Sequence, residues 1–282
     1  MNSFKMKALA LAVLGLAGFG VMGSAMACPT IDQTVGTVTP GGGGAWTSQF
    51  RASDATMNIV AGLNGSACGL GVSIGAQSSS RAFVEFDNGT SETHLRGRFY
   101  VSLNNLITGV TPFNQSNRTA VIHRINYATG PAQFTSDILV VRIAGGAGAL
   151  GTGTAPSIRF FVSDANPASG ATSASVPLPA SASNTFIVEY DLQIGTAATS
   201  GQACNPMPAS GGCFRYWVAD AGTTISDTTP TGSITVNNAG WSGSSKVFLG
   251  LSTGSPNYRA NHAGTVSTVD EFDLRRQTFI PN

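Results

Sequence analysis

Charge is scarce in this 282-residue chain: only 10% of it is Asp, Glu, Lys or Arg. Lysine is confined to Lys5, Lys7 and Lys246. With a formal net charge of +1, the chain has no general attraction to nucleic acid or to an anionic membrane surface. Histidine is nearly as rare. His94, His123 and His262 fall on three separate segments, and no Cys-x-x-Cys occurs, so no zinc-binding spacing is written in the sequence. After residue 27 no stretch sustains an apolar period of 3.6 residues, and there are no heptads and no repeats of fixed length. Helical bundles, coiled coils and solenoids are excluded on that ground. No apolar run there is long enough for a membrane-spanning helix.

What is present begins with a leader. Residues 1–7 are short and basic, residues 8–23 are apolar without a charge, and Ser24-Ala25-Met26-Ala27 places alanines at the two positions a signal peptidase reads. Residues 1–27 are expected to be a secretory signal peptide, removed from the mature chain. Loss of Lys5 and Lys7 takes the 15 basic residues to 13, against 14 acidic ones. The protein is expected to be exported to the periplasm or the medium, where disulfides form. Its cysteines number four: Cys28, Cys68, Cys204 and Cys213. Cys204 and Cys213 bracket the turn-rich Asn205-Pro206-Met207-Pro208-Ala209-Ser210-Gly211-Gly212 and are expected to staple it. Cys28 and Cys68 would then tie the N-terminus to the body. Cys28 also stands where a lipid could be attached, although Ala25-Met26-Ala27 reads better as an ordinary cleavage site.

Residues 28–80 are rich in Gly and Ser and are expected to pack on the main body. From residue 81 to 282 the chain alternates short apolar runs with Gly, Asn, Pro, Ser and Thr clusters. Strands are expected at 81–87, 94–103, 118–127, 137–144, 157–163, 185–194, 213–220, 245–252 and 266–280, the last holding one strand or two. In 185–194, Phe186, Val188, Tyr190, Leu192 and Ile194 share one face, while Glu189, Asp191 and Gln193 share the other with Ile187. One buried and one wet face is antiparallel behaviour. About ten such strands are expected to close into an all-β sandwich of two antiparallel sheets, with residues 28–282 forming one globular unit.

Arg81-Ala-Phe-Val-Glu-Phe-Asp87, Glu92 to Val101, Phe214-Arg-Tyr-Trp-Val-Ala-Asp220, Val247 to Leu251 and Val269 to Ile280 resemble the strands of secreted bacterial laminin-G-like, concanavalin A-like jelly rolls. The resemblance covers about residues 81–280 and implies the jelly-roll fold. The superfamily spans lectins, adhesion modules, glucanases and lyases, so it leaves the activity open.

No catalytic residue is assigned. A glucanase strand needs Glu-x-Asp-x-Glu to put three carboxylates on one face. Glu85-Phe-Asp87, Glu189-Tyr-Asp191 and Asp270-Glu-Phe-Asp273 each fall short, and pairing with arginines on neighbouring strands is the preferred reading. Glu271 and Asp273 are expected to share a face. Ile122-His123-Arg124 with Tyr127 is similar to a lyase set, but His123 lies with Val121 and Ile125 and reads as a hydrogen-bonded core residue. No Gly-x-Ser-x-Gly is expected at a strand-to-helix elbow, because no helix is expected. No cofactor is called for, with calcium the one candidate: Asp87 or Asp220 at a loop edge would supply its oxygen ligands, although both also form turns.

Arginine is the remaining signal. Arg96, Arg98, Arg124, Arg142, Arg159 and Arg215 each lie inside an expected strand. Arg96, Arg98, Tyr100, Arg215 and Trp217 are the candidate ligand-binding set, because aromatic faces stack on sugars and arginine bonds hydroxyls or uronate carboxylates. The competing reading pairs these arginines with Glu85, Glu189, Asp191, Glu271 and Asp273 and puts Trp217 in a core. The expected function is non-catalytic binding of a carbohydrate or cell-surface glycan through one sheet face and edge loops. The alternatives are a structural or adhesive protein that binds other proteins, and a polysaccharide hydrolase or lyase with an unrecognised site.

Overall fold

The computed structural model describes residues 4–5, 28, 31–38, 46–127, 137–146, 156–163, 171–195, 203–238 and 243–276. The leader expected over residues 1–27 lies outside the described residues apart from 4–5.

Apolar alternation folds the chain as strands. In order they are β1 (Phe4–Lys5), β2 (Gly36–Val38), β3 (Ser48–Arg51), β4 (Thr56–Ala61), β5 (Cys68–Ser73), β6 (Ala82–Glu92), β7 (His94–Ser102) and β8 (Thr119–Tyr127). Then come β9 (Asp137–Ala144), β10 (Ser157–Ser163), β11 (Ala171–Pro177), β12 (Thr185–Gln193), β13 (Cys213–Asp220), β14 (Gly232–Thr235), β15 (Ser244–Gly254) and β16 (Ser267–Arg276). Two short helices interrupt them, α1 (Asn104–Ile107) and α2 (Pro256–His262). The first sheet runs β14-β13-β12-β7-β16-β5-β4, with β1 beside β16; the second runs β11-β10-β9-β8-β15-β6-β3-β2. Every pairing is antiparallel. This is a jelly-roll β-sandwich.

The core lies between the sheets. Phe99, Val101, Phe186, Val188, Leu192 and Phe214 of the first sheet meet Ile122, Leu139, Val141, Ile143, Phe160 and Leu249 of the second. Trp46, from the glycine-rich N-terminal segment, packs on the same core with its ring 5.4 Å from that of Phe272; Trp241 lies outside the described residues. That segment also supplies strands to both sheets, β2 and β3 to one and β4 and β5 to the other. Cys28–Cys68 ties it to β5 with Cα atoms 5.7 Å apart, and Cys204–Cys213 closes the loop before β13 at 5.6 Å. Two disulfides point to an extracellular or periplasmic protein. No described helix is long and apolar enough to cross a membrane.

Cross-strand neighbours explain one glycine. Tyr190 of β12 stands opposite Gly97 of β7, and a Cβ at Gly97 would meet the Tyr190 hydroxyl at 2.2 Å. The bare backbone lets the ring lie flat and reach His123, whose Nε2 is 3.0 Å from the hydroxyl. Gly97→Ala is expected to displace the ring and destabilise the fold by about 1–3 kcal/mol. Urea denaturation checks this; a midpoint equal to wild type would contradict it.

Two expectations need correcting. The wet face expected of 185–194 is not wet: all nine residues of β12 are buried, and the 221–231 loop packs against this face through Ile225 and Asp227. Glu271 and Asp273 do not share the outer face in simple alternation. A bulge at Glu271, with φ of 46°, shifts the register between Asp270 and Asp273. Asp270 and Asp273 therefore oppose Tyr100 and Arg98, and Phe272 turns into the core.

Candidate functional site

The outer face of the first sheet carries most of the buried charge. Strand register sets it out in rows. Arg215, Asp191, Arg96 and Arg275 stand side by side across β13, β12, β7 and β16. The next row along is Trp217, Glu189, Arg98 and Asp273. Beyond it come Ala219, Ile187, Tyr100 and Asp270. Period-2 alternation within β7 and within β13, with both strands paired to β12, brings the five candidate residues Arg96, Arg98, Tyr100, Arg215 and Trp217 onto this one face.

Charges of opposite sign interlock there. Glu189 is fully buried, and each of its carboxylate oxygens accepts from an arginine: Arg96 Nε at 2.6 Å and Arg98 Nε at 2.5 Å. Asp191 accepts from His94 Nε2 at 2.7 Å and from Arg215 Nη2 at 2.6 Å. Burial alone would raise the Asp191 pKa, but the hydrogen bonds from His94 and Arg215 hold it below the usual carboxylate value. Asp227, from the loop after β13, caps the network: Arg96 donates to it, and so does Arg215 at 3.1 Å.

Trp217 is the floor of this cluster. Its indole N–H donates to the Ser226 carbonyl at 2.8 Å, and the Arg96 and Arg215 guanidinium carbons lie 4.4 and 5.3 Å from its ring. Tyr100, Ile187, Trp217 and Ile225 form a second small apolar cluster beneath the same loop. The candidate set is thus brought together, and all five side chains are buried. Around Arg96 three polar groups stay more open: His94, with 20% of its side chain exposed, Asp227 with 46% and Arg275 with 14%. His94 sits two residues before Arg96 on β7, Arg275 opposes it on β16, and Asp227 bonds to it. Sequence reasoning missed Asp227 and Arg275 as members of the site. Asp227 comes from a turn-rich loop with no pattern, and the bulge obscures the facing of Arg275.

Glu189 and Asp191 are each bonded to cationic side chains, and for Asp191 those bonds favour the ionised form. His94 and Tyr100 lie six residues apart on one strand, about 20 Å, too far to act on one carbon. The other histidine–tyrosine pair, His123 and Tyr190, is sealed between the sheets. Burial pulls the His123 pKa down to about 3 and raises that of Tyr190. Gly250-Leu251-Ser252-Thr253-Gly254 does match the Gly-x-Ser-x-Gly pattern, and a helix, α2, follows. Ser252 nevertheless lies inside β15, buried, not at an elbow. Of the calcium candidates, Asp87 lies on β6 in the second sheet, and Asp220 ends β13 in the first, its carboxylate accepting from Gly222 N at 3.4 Å. Among the described residues no three His, Cys, Asp or Glu side chains are grouped to hold a metal.

No protein-family model matches the sequence, and no curated protein matches it. Solved structures do share the architecture. The endo-β-1,4-glucuronan lyase of the fungus Trichoderma reesei superposes with a TM-score of 0.50 at 12% identity, over 82% of this chain and 91% of that one. The cellulose-induced protein Cip1 gives 0.44 at 13% identity, over 89% and 95%. The binding domain of botulinum neurotoxin serotype G gives 0.43 at 10% identity, over 82% and 44%. At these identities the likeness is one of fold: this chain and the glucuronan lyase are both jelly-roll β-sandwiches.

Proposed function

We propose that this protein is an exported, non-catalytic carbohydrate-binding module. In this reading the open rim of the first sheet's outer face, His94, Asp227 and Arg275, meets the sugar. Arg96, Arg98, Tyr100, Arg215 and Trp217 hold that rim in place. The observation that carries the reading is the convergence of an imidazole, a carboxylate and a guanidinium on Arg96. Such a set donates to and accepts from sugar hydroxyls, while Glu189 and Asp191 remain ion-paired. A polysaccharide ligand is in keeping with a fold shared with a lyase that acts on glucuronan; carrying that substrate class to this chain is part of the proposal.

A glycan array tests it. Wild-type protein is expected to bind at least one polysaccharide. The His94→Gln, Asp227→Asn, Arg275→Gln variant is expected to bind at least tenfold more weakly, with a melting temperature within a few degrees of wild type. Absence of binding to every glycan, or equal binding by the variant, would overturn the assignment.

A further inference from the structure

The second sheet carries a different electrostatic arrangement. On the outer face Arg142 of β9 and Arg159 of β10 stand directly opposite each other in register, with Ser175 of β11 next in the row. Directly opposed like charges destabilise an antiparallel pair. On the first sheet Arg96 and Arg275 also stand opposite each other, but each has a carboxylate partner, Arg96 in Glu189 and Asp227 and Arg275 in Asp273. Among the described residues neither Arg142 nor Arg159 has an acid within 4.0 Å, and the Nε atom of each is buried without a hydrogen-bond partner.

The sequence offers few acids nearby. From residue 119 to 177 the only acidic residues are Asp137 and Asp164. Asp137 pairs with Arg124 at 3.5 Å. Asp164 lies outside the described residues. The Arg142 guanidinium is also fixed in place, its carbon 4.5 Å above the ring of Phe161. Burial and the neighbouring Arg159 charge weaken the Arg142 hold on its proton, against the pull of Asp137.

We infer that Arg142 and Arg159, with the exposed hydroxyl of Ser175, form an oxyanion site that takes an acidic group of an extended polysaccharide. Two adjacent guanidinium forks match a carboxylate or a sulfate ester, each of which accepts several charge-assisted hydrogen bonds. The anion would occupy the place that a cross-strand acid fills elsewhere in the molecule. Two arginines on a near-neutral protein are too few for the many phosphate contacts of nucleic-acid binding. An acidic sugar chain needs one pair per charged unit, and its apolar ring faces suit the neighbouring Phe161 and Val140. The site lies on the sheet opposite the His94 rim, so it stands or falls separately from the function proposed above.

Affinity electrophoresis in gels containing polygalacturonate, dextran sulfate or neutral dextran tests the inference. Wild-type protein is expected to be retarded by an acidic polymer and not by dextran. Retardation by polygalacturonate alone assigns a uronate carboxylate; retardation by dextran sulfate alone assigns a sulfate ester. Arg142→Gln with Arg159→Gln is expected to weaken retardation at least tenfold while the melting temperature stays level or rises, since a repulsion is removed. Arg81→Gln, a single charge change at an exposed position elsewhere, should shift retardation less than twofold. The variant altered at His94, Asp227 and Arg275 should keep it. No retardation by either acidic polymer, or equal retardation of the double arginine variant, would overturn the site. Loss of retardation only on changing His94, Asp227 and Arg275 would overturn it while leaving the carbohydrate reading intact.

Discussion

Glu189→Ala is expected to cost about 3–5 kcal/mol of folding stability, among the largest effects of any single substitution in this protein. The reason is not that the ion pairs are strong in themselves. Glu189, Arg96 and Arg98 are all buried, and taking such charges out of water is expensive enough that a well-packed apolar replacement often does as well. Removing only the carboxylate takes away the buried anion that two guanidinium groups share, while their low-dielectric surroundings remain. Glu189→Gln should fall in between, since the amide oxygen can accept from one arginine but the charge is gone. Replacing all three by apolar residues of similar volume, Arg96→Met, Arg98→Met and Glu189→Leu, should recover most of the loss. Urea denaturation reads each value. A Glu189→Ala loss under 1 kcal/mol would show that the network is solvated and that the outer face is open.

Acid should unfold the protein well before its carboxylates would account for it. His123 has a folded pKa of about 3 against 6.5 for the free side chain. A base with a depressed folded pKa contributes stability that is complete above pH 6.5 and is lost as pH falls from 6.5 toward 3. At about 1.4 kcal/mol per pH unit the whole window is worth about 5 kcal/mol. His262, held down to about 4 by burial and by the charge of Arg118, adds loss in the same direction. Asp191, lowered by His94 and Arg215 after burial has raised it, adds more below about pH 4. The slope of stability against pH between 6 and 4.5 is therefore steep. His123→Gln keeps a hydrogen-bonding group beside Tyr190 but takes up no proton, and should flatten that slope by about 1.4 kcal/mol per unit. An unchanged slope would mean that His123 is reached by solvent in the folded state.

The strands legible in the sequence are those with large apolar residues in strict alternation. The expected spans 137–144, 157–163 and 213–220 coincide with β9, β10 and β13. β11 was hidden because Ala171–Pro177 holds Ala, Ser and Thr with Val176 its one larger apolar residue, as an edge strand can. β5 was hidden by Gly69 and Gly71, which are required there: a Cβ at Gly71 would come within 2.7 Å of Val60. The N-terminal segment read as an extension because short, glycine-interrupted strands carry little periodicity.

The candidate residues on the first sheet could be grouped from alternation alone, since Arg96, Arg98 and Tyr100 share a parity on one strand. Their burial could not. It depends on a loop at 221–231 whose contacts, Ile225 on Trp217 and Asp227 between Arg96 and Arg215, are separated in sequence from the strands they cover. The Arg142–Arg159 opposition was equally out of reach, because it needs the register of two strands joined by a long connection.

Light scattering during size-exclusion chromatography of the protein mixed with a polysaccharide that it retains on an array is the most direct test of non-catalytic carbohydrate binding. The expected result is a complex eluting ahead of both components, with the molar mass of the recovered polysaccharide unchanged after prolonged incubation. A falling polymer mass would make the protein a depolymerising enzyme, and the absence of any complex would remove carbohydrate binding altogether.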